Sequence, residues 1–503
     1  MKRGKKGWWC ALGMCWVLLG ASVSDADAAT FSTVFAFDLH TSTAGVVEGD
    51  GGNLGYLFGT TNDTSLSYGG AIYKVAMAGG APQIIYQLQA ADGYSPQATL
   101  LLGSDHYLYG TTYYGPRAGT NTGAGAGTIF RVAQDGSGYQ TLYQFDAISG
   151  INSTTNNVIN VNGAYPTRAL IESGGYLYGV TSSGGANSTG TVFRLRLADA
   201  HFELLHPFAA IDSTGASVNI VNGTGEGAYP SGSLTLASDG RLYGMTSGGG
   251  ANLKNTTNSN GIAVTVGTGT IYSLNIDGTN FQTIHNFLAL DDTATVSVNA
   301  DGAQPSGKLL EISPGTLIGT ASDGGDPSAG TTTGYGTVFR FDTATSSLNT
   351  LYAFDNTTGA VPIGNLVLSN GRVYGVTGTG STTSTPVTSL GNIYSVDPVT
   401  AAFVNEHALV FSEGTNPTGS LILASNGDLF GTVQSGNACT AVNGGGYGAV
   451  FRYSLATNAS SAGYSNCTVP RSSGGGAMSP AVLVLLSVLG LAPRLRRRVF
   501  GFI

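Results

Sequence analysis

The residues able to do chemistry are few, and their spacing is uninformative. Six histidines, His40, His106, His201, His206, His285 and His407, could serve as metal ligands or general bases. They form no metal-binding pattern such as H-E-x-x-H. His206 and His285 stand where Tyr143 and Tyr352 stand in related segments, which reads as strand packing. No nucleophile elbow, P-loop or EF-hand string occurs. The glycine-rich stretch 119–127 opens no helix whose N-terminus could cradle phosphate. Asp50, Asp291, Asp292, Asp323 and Asp326 fall in loops and offer the oxygens that calcium takes, though in no fixed order. No other cofactor is expected. Arg131, Arg194, Arg340 and Arg452 each follow an aromatic residue at equivalent sites, which points to structural pairing with partners such as Asp146 or Asp355. Cys439 and Cys467 are the two cysteines outside the N-terminal segment. In an oxidising compartment such a pair reads as a disulfide, and metal binding is the second reading.

Composition limits what could position such residues. The chain has 503 residues, of which 10% are charged and 77 are glycine. Long amphipathic helices need Glu, Lys, Arg and Gln on their solvated faces, and this chain can hardly supply them. Yet 42% of residues are apolar, including 24 Tyr and 20 Phe, so a core can form and wholesale disorder is excluded. Formal net charge is −8, and eight of the 21 basic residues lie in the two terminal segments. The body is therefore more acidic still and lacks the basic footprint of a nucleic-acid binder.

Three short patterns recur in fixed order, each about seven times. The first is apolar-aromatic-Gly, as in Leu177-Tyr178-Gly179, with glycines at 59, 110, 179, 244, 319, 375 and 431. The second is Gly-x-apolar-aromatic, as in Gly190 to Phe193, and the third resembles Thr141-Leu142-Tyr143-Gln144-Phe145. In six repeats a proline and an apolar strand follow, for example from Pro166, Pro230 and Pro305. Alternation of period two marks strands, and Asx-Gly pairs such as Asp239-Gly240 and Asn426-Gly427 mark tight turns. Each repeat is thus a four-stranded antiparallel meander, a to d, and seven of them predict an all-β, seven-bladed β-propeller over residues 29–455. The last repeat lacks a d strand, while residues 31–38 match the d segment 139–146. The N-terminal strand is therefore expected to join the last blade and close the ring, leaving no open edge. Long b–c loops and d–a crossovers would share one face, where binding commonly sits.

The ends read as addresses. Lys2, Arg3, Lys5 and Lys6 precede an apolar run at 8–19 and an A-x-A site, so residues 1–28 are expected to be a signal peptide cut by signal peptidase between Ala28 and Ala29. A Ser/Gly-rich linker at 456–476 ends in Gly474, Gly475 and Gly476. Residues 477–503 join an apolar stretch to Arg494, Arg496, Arg497 and Arg498. As a helix, residues 477–493 would reach about 25 Å, short of the ~30 Å hydrocarbon core.

The terminal pattern resembles the GlyGly-CTERM sorting signal of Gram-negative bacteria. That resemblance implies cleavage near Gly474 to Gly476 by a rhomboid-type protease and attachment at the cell surface; a retained membrane anchor is the alternative. The repeats resemble the GloVer-type tandem repeats of bacterial surface proteins with interchangeable C-terminal anchors, which implies an exported propeller and no secure activity. Kelch repeats share Gly-Gly pairs such as Gly184-Gly185, but all three tryptophans here lie in the leader. The expected function is a non-enzymatic binding module for glycan or an envelope protein. The alternative is a carbohydrate-active lyase or hydrolase with its site at the channel mouth; a hydrolase would need two carboxylates about 5–10 Å apart facing one cavity.

Overall fold

The computed structural model describes residues 29–37, 44–62, 69–116, 125–146, 150–151, 158–211, 220–221, 224–257, 263–291, 299–325, 334–355, 357–380, 390–418, 420–435 and 448–455. Among them there is no α-helix. Seven antiparallel sheets follow one another as blades. The third blade is representative: strand a is Ile171–Ser173, b is Tyr176–Thr181, c is Thr191–Arg196 and d is Phe202–Pro207. In the last blade the N-terminal strand Thr30–Ala36 lies antiparallel to Ala449–Ser454, pairing Phe31 with Tyr453 and Thr33 with Phe451. The expected closure is what the chain adopts.

The recurring motifs are explained by cross-strand geometry. Every glycine of the first motif lies directly opposite the aromatic residue of the second, as in Gly59–Tyr73, Gly179–Phe193 and Gly431–Phe451. The ring folds back over the glycine. A Cβ on Gly179 would come within 2.5 Å of Cζ of Phe193. Aromatic and glycine therefore form one unit, in which the missing side chain makes room for the ring.

The glycine that opens the second motif links blades. Gly190 has φ +96°, and a Cβ there would strike Cδ of Pro230 in the next blade. Gly70, Gly127, Gly269, Gly336 and Gly391 meet Pro96, Pro166, Pro305, Pro362 and Pro417 in the same way. The carbonyl of each such glycine also accepts the N–H of the residue closing strand d, as Phe208 to Gly190 (3.1 Å) and Phe37 to Gly448 (2.9 Å). The three motifs thus describe one interlocked joint. The first blade lacks the proline, and its strand a is only Val47–Glu48.

The cores lie between blades. Seven buried clusters correspond to the seven interfaces, and the one joining last to first blade contains Phe430, Val450, Leu57 and Tyr73. On strand d, an aromatic ring stacks on the start of the next blade's strand d: Tyr143 on Phe202 (4.1 Å), His206 on Phe281 (3.7 Å) and Tyr352 on Phe403 (3.7 Å). His407 stacks in the same slot on Phe31 of the N-terminal strand (4.7 Å). A carboxylate ending strand a also grips the preceding blade's turn. Glu172 accepts the N–H and hydroxyl of Ser104, Glu311 those of Ser238, and Glu48 those of Ser425 across the closure.

Candidate functional site

At the axis, the seven innermost strands enclose a cavity of about 510 Å³. Its wall comes from the segments that follow the prolines. Aligned on the buried leucine two residues on, the central position is Ala98, Arg168, Gly232, Gly307 and Gly364 in blades two to six, and Ala44, before buried Val46, in the first blade; Gly419, its sequence equivalent in the last blade, lies outside the described residues. Small residues are required by crowding. A Cβ on Gly232 would overlap the carbonyl of Gly307, and one on Gly307 that of Gly364. Arg168 alone brings a long side chain to this ring. It keeps accessible surface because it stands in the cavity, yet protein surrounds the guanidinium and holds its pKa below the ordinary arginine value. Lys308 follows Gly307 at the position equivalent to Thr99, Ser233, Asn365 and Ser420 but, unlike them, is not among the lining residues; burial lowers its ammonium pKa. Most of the remaining wall is hydroxyl and amide, including Gln97, Thr167, Ser231, Ser306 and Thr418. Asp323 is the one carboxylate among the described lining residues.

The mouth opens on the face that carries the b–c loops and d–a crossovers. Each of the six prolines is preceded there by a non-glycine residue in the left-handed region: Ser95, Tyr165, Tyr229, Gln304, Val361 and Asn416, with φ of 53–63°. Residues before proline ordinarily avoid such geometry, at a cost of about 1–3 kcal/mol each. Hydrogen bonds hold it in place: the N–H of Tyr165 donates to the carbonyl of Ala126 (2.7 Å) and that of Gln304 to Thr268 (2.8 Å). Next to the mouth, four tyrosines cluster at the second blade. Tyr113 and Tyr114 open its b–c loop, and Tyr94 and Tyr165 end the crossovers on either side. Tyr113 stacks on Tyr165 (4.3 Å) and Tyr94 on Tyr114 (4.6 Å), with edge contacts between the two pairs. Burial pushes the Tyr113 hydroxyl up to about 12, while 36% of Tyr114 remains exposed.

This face carries more β-structure than loop composition suggested. Leu253–Thr257 pairs with Ala263–Gly267 and runs parallel to Leu290–Asp291, and Val158–Ala164 pairs with Gly150–Ile151 and Ser183–Gly185. The opposite face has short turns.

The residues singled out from sequence fall into three groups. Of the histidines, His206 and His285 pack on strand d as expected, and each also faces a carboxylate, Glu226 (3.4 Å) and Asp301 (2.9 Å). His106 bonds Asp50 (2.6 Å) on the short-turn face. Three of the four arginines, Arg131, Arg194 and Arg452, pair structurally, but with partners other than Asp146 and Asp355. Arg194 bridges Glu203 (2.6 Å), Arg452 bridges Asp428 (2.6 Å) and Arg131 bonds Gln140 (3.1 Å), because the adjacent d and b strands bring those groups alongside. Asp355 instead caps its own turn at Thr357 and Thr358, and Asp146 accepts from Asn162. Among the acidic loop positions, Asp323 lines the cavity and Asp50 is engaged by His106 and Gln134. No group of three metal-ligating side chains occurs among the described residues. Cys439, Cys467, Ala28, Gly474, Gly475, Gly476, Arg494, Arg496, Arg497, Arg498, Asp292 and Asp326 lie outside the described residues, as does the side chain of Asp291; Ala29 is the first described residue. Sequence reasoning passed over Arg168 and the tyrosine cluster. Aligning the proline-led segments would have exposed the arginine.

A ring of seven four-stranded blades about an axial cavity makes the chain a seven-bladed β-propeller. It belongs to the Gloeobacter/Verrucomicrobia repeat family, whose pattern matches residues 22–221 and 257–477. No curated protein matches it. Solved structures similar to it include an oligogalacturonate lyase in complex with manganese, at 11% identity and TM-score 0.45, covering 85% of this chain and 96% of that one. The GH74 enzyme of Niastella koreensis is similar at 13% identity and TM-score 0.45, covering 80% and 52%. A chain of a nidogen/laminin complex is similar at 13% identity and TM-score 0.35, covering 66% and 85%. These likenesses concern the fold, and they fall on enzymes and binding proteins alike.

Proposed function

We propose that the protein is an exported, surface-tethered propeller that binds glycan at the mouth of its axial cavity, without catalysing a reaction. The observation that carries this reading is the tyrosine cluster Tyr94, Tyr113, Tyr114 and Tyr165 beside a cavity walled by neutral hydroxyls and amides. Aromatic faces and hydroxyl-bonding groups together suit a polyhydroxylated ring, and the cavity falls within the ~300–1,000 Å³ of small-ligand sites. Asp323 stands without a second carboxylate among the described lining residues, whereas glycoside hydrolysis ordinarily uses two. Export and tethering rest on the leader, the Ser/Gly linker and the basic apolar tail, with signal peptidase and a rhomboid-type protease as processing partners.

The test is a glycan-array screen of the full chain and of the double variant Tyr114→Ala/Tyr165→Ala. The expected result is saccharide binding that falls at least tenfold in the variant while its far-UV spectrum is unchanged. Equal binding by both proteins would place the ligand elsewhere, and capture of envelope proteins with no saccharide bound would favour a protein partner. Release of shortened or unsaturated sugars would establish the enzymatic alternative.

A further inference from the structure

The axial ring carries a charge that its fold does not need. Five of its six described positions are glycine or alanine, and the sixth is Arg168. Arg168 makes no hydrogen bond or ion pair with any described residue, and the same holds for Lys308 one ring position further on. Five other arginines are tied down: Arg194 to Glu203, Arg196 to Asp199, Arg241 to Asn275, Arg372 to Ser395 and Arg452 to Asp428. Among the described lining residues Arg168 is the one cation and Asp323 the one carboxylate, and the two form no ion pair. A guanidinium held in a cavity without an ion pair is costly, and its planar fork matches a carboxylate bidentately.

We propose that Arg168 receives the carboxylate of an acidic sugar unit in the axial cavity, with the surrounding serine, threonine and glutamine side chains bonding the sugar hydroxyls. This rests on the glycan-binding reading and names the class of saccharide. The unpaired guanidinium fork suits a carboxylate, and the hydroxyl and amide wall suits the rest of a sugar ring.

Calorimetry on the full chain with sodium glucuronate, glucose and inorganic phosphate tests it, alongside the Arg168→Ala variant, which installs the residue that blade two carries at Ala98. Glucuronate is expected to bind at least tenfold more tightly than glucose, and the variant to lose that preference. The ligand-free variant should also melt at a higher temperature, because an unpaired enclosed charge has been removed. A lower melting temperature with unchanged glucuronate binding would show that Arg168 only fills space and would overturn the inference. Tighter binding of phosphate than of glucuronate would overturn the carboxylate assignment. If neutral glycans bind through Tyr114 and Tyr165 but glucuronate is not preferred to glucose, this inference fails and the binding reading stands. If no saccharide binds at all, both fail.

Discussion

Tyr272 and Tyr394 occupy the ring-over-glycine position that phenylalanine fills in blades two, three, five and seven, and their buried hydroxyls have no partner among the described residues. Burying an unsatisfied hydroxyl costs about 1–3 kcal/mol. Tyr272→Phe is therefore expected to stabilise the protein by about 1 kcal/mol in urea denaturation, and a loss of stability would mean that the hydroxyl is bonded. Gly179→Ala should act in the opposite direction by several kcal/mol, since the new methyl displaces Phe193 from a filled core. Ionisation is tuned at the surface as well. Asp50 raises the His106 pKa above its ordinary 6.5, chiefly through their hydrogen bond, while Gln134 first and His106 second lower that of Asp50. A raised histidine pKa favours the fold below 6.5, and the contribution fades as pH rises through the folded value. A depressed aspartate pKa favours the fold above 3.8, and that contribution fades as pH falls through the folded value. NMR titration should place the His106 midpoint above 6.5, and Asp50→Asn should return it toward that figure. An identical midpoint in both proteins would mean that the pair does not form in solution.

At the level of elements, the borrowed strand Thr30–Ala36 supplies the outer edge of the last sheet and brings Phe31 onto His407 and Phe451. Deleting residues 30–36 should bare the Ala449–Ser454 edge, lower the melting temperature and promote association between copies. A synthetic peptide of residues 29–37 should reverse both effects; an unaltered melting curve and a monomeric deletion variant would contradict the pairing. This strand was legible beforehand because it repeats a d segment found elsewhere in the chain. The accessory strands Leu253–Thr257 and Ala263–Gly267 were not, because Thr- and Asn-rich sequence reads as loop until a neighbouring edge offers it partners. The arginine partners were missed for a related reason. Register decides which carboxylate lies alongside, and register follows from the cross-strand pairs rather than from spacing along the chain.

For the whole molecule, counting repeats sufficed to reveal blade number, blade order and closure, whereas the convergence of the proline-led segments on an axial cavity follows from how the blades are arranged. Aligning those segments singles out Arg168 among small residues, and the fold places it in the cavity. The closure also bears on how the molecule is made. During synthesis the segment carrying Phe31 leaves the ribosome first, and its mate around Phe451 emerges more than four hundred residues later. Six blades can take shape as they appear, but the seventh must wait for both extremities to meet. Throughout that interval the leading segment is an apolar ribbon without a home, and the final blade lacks its outermost strand. Assembly of the circle is therefore set by the most distant pairing in the chain, and any factor that shields the nascent beginning would govern yield more than one acting on the middle.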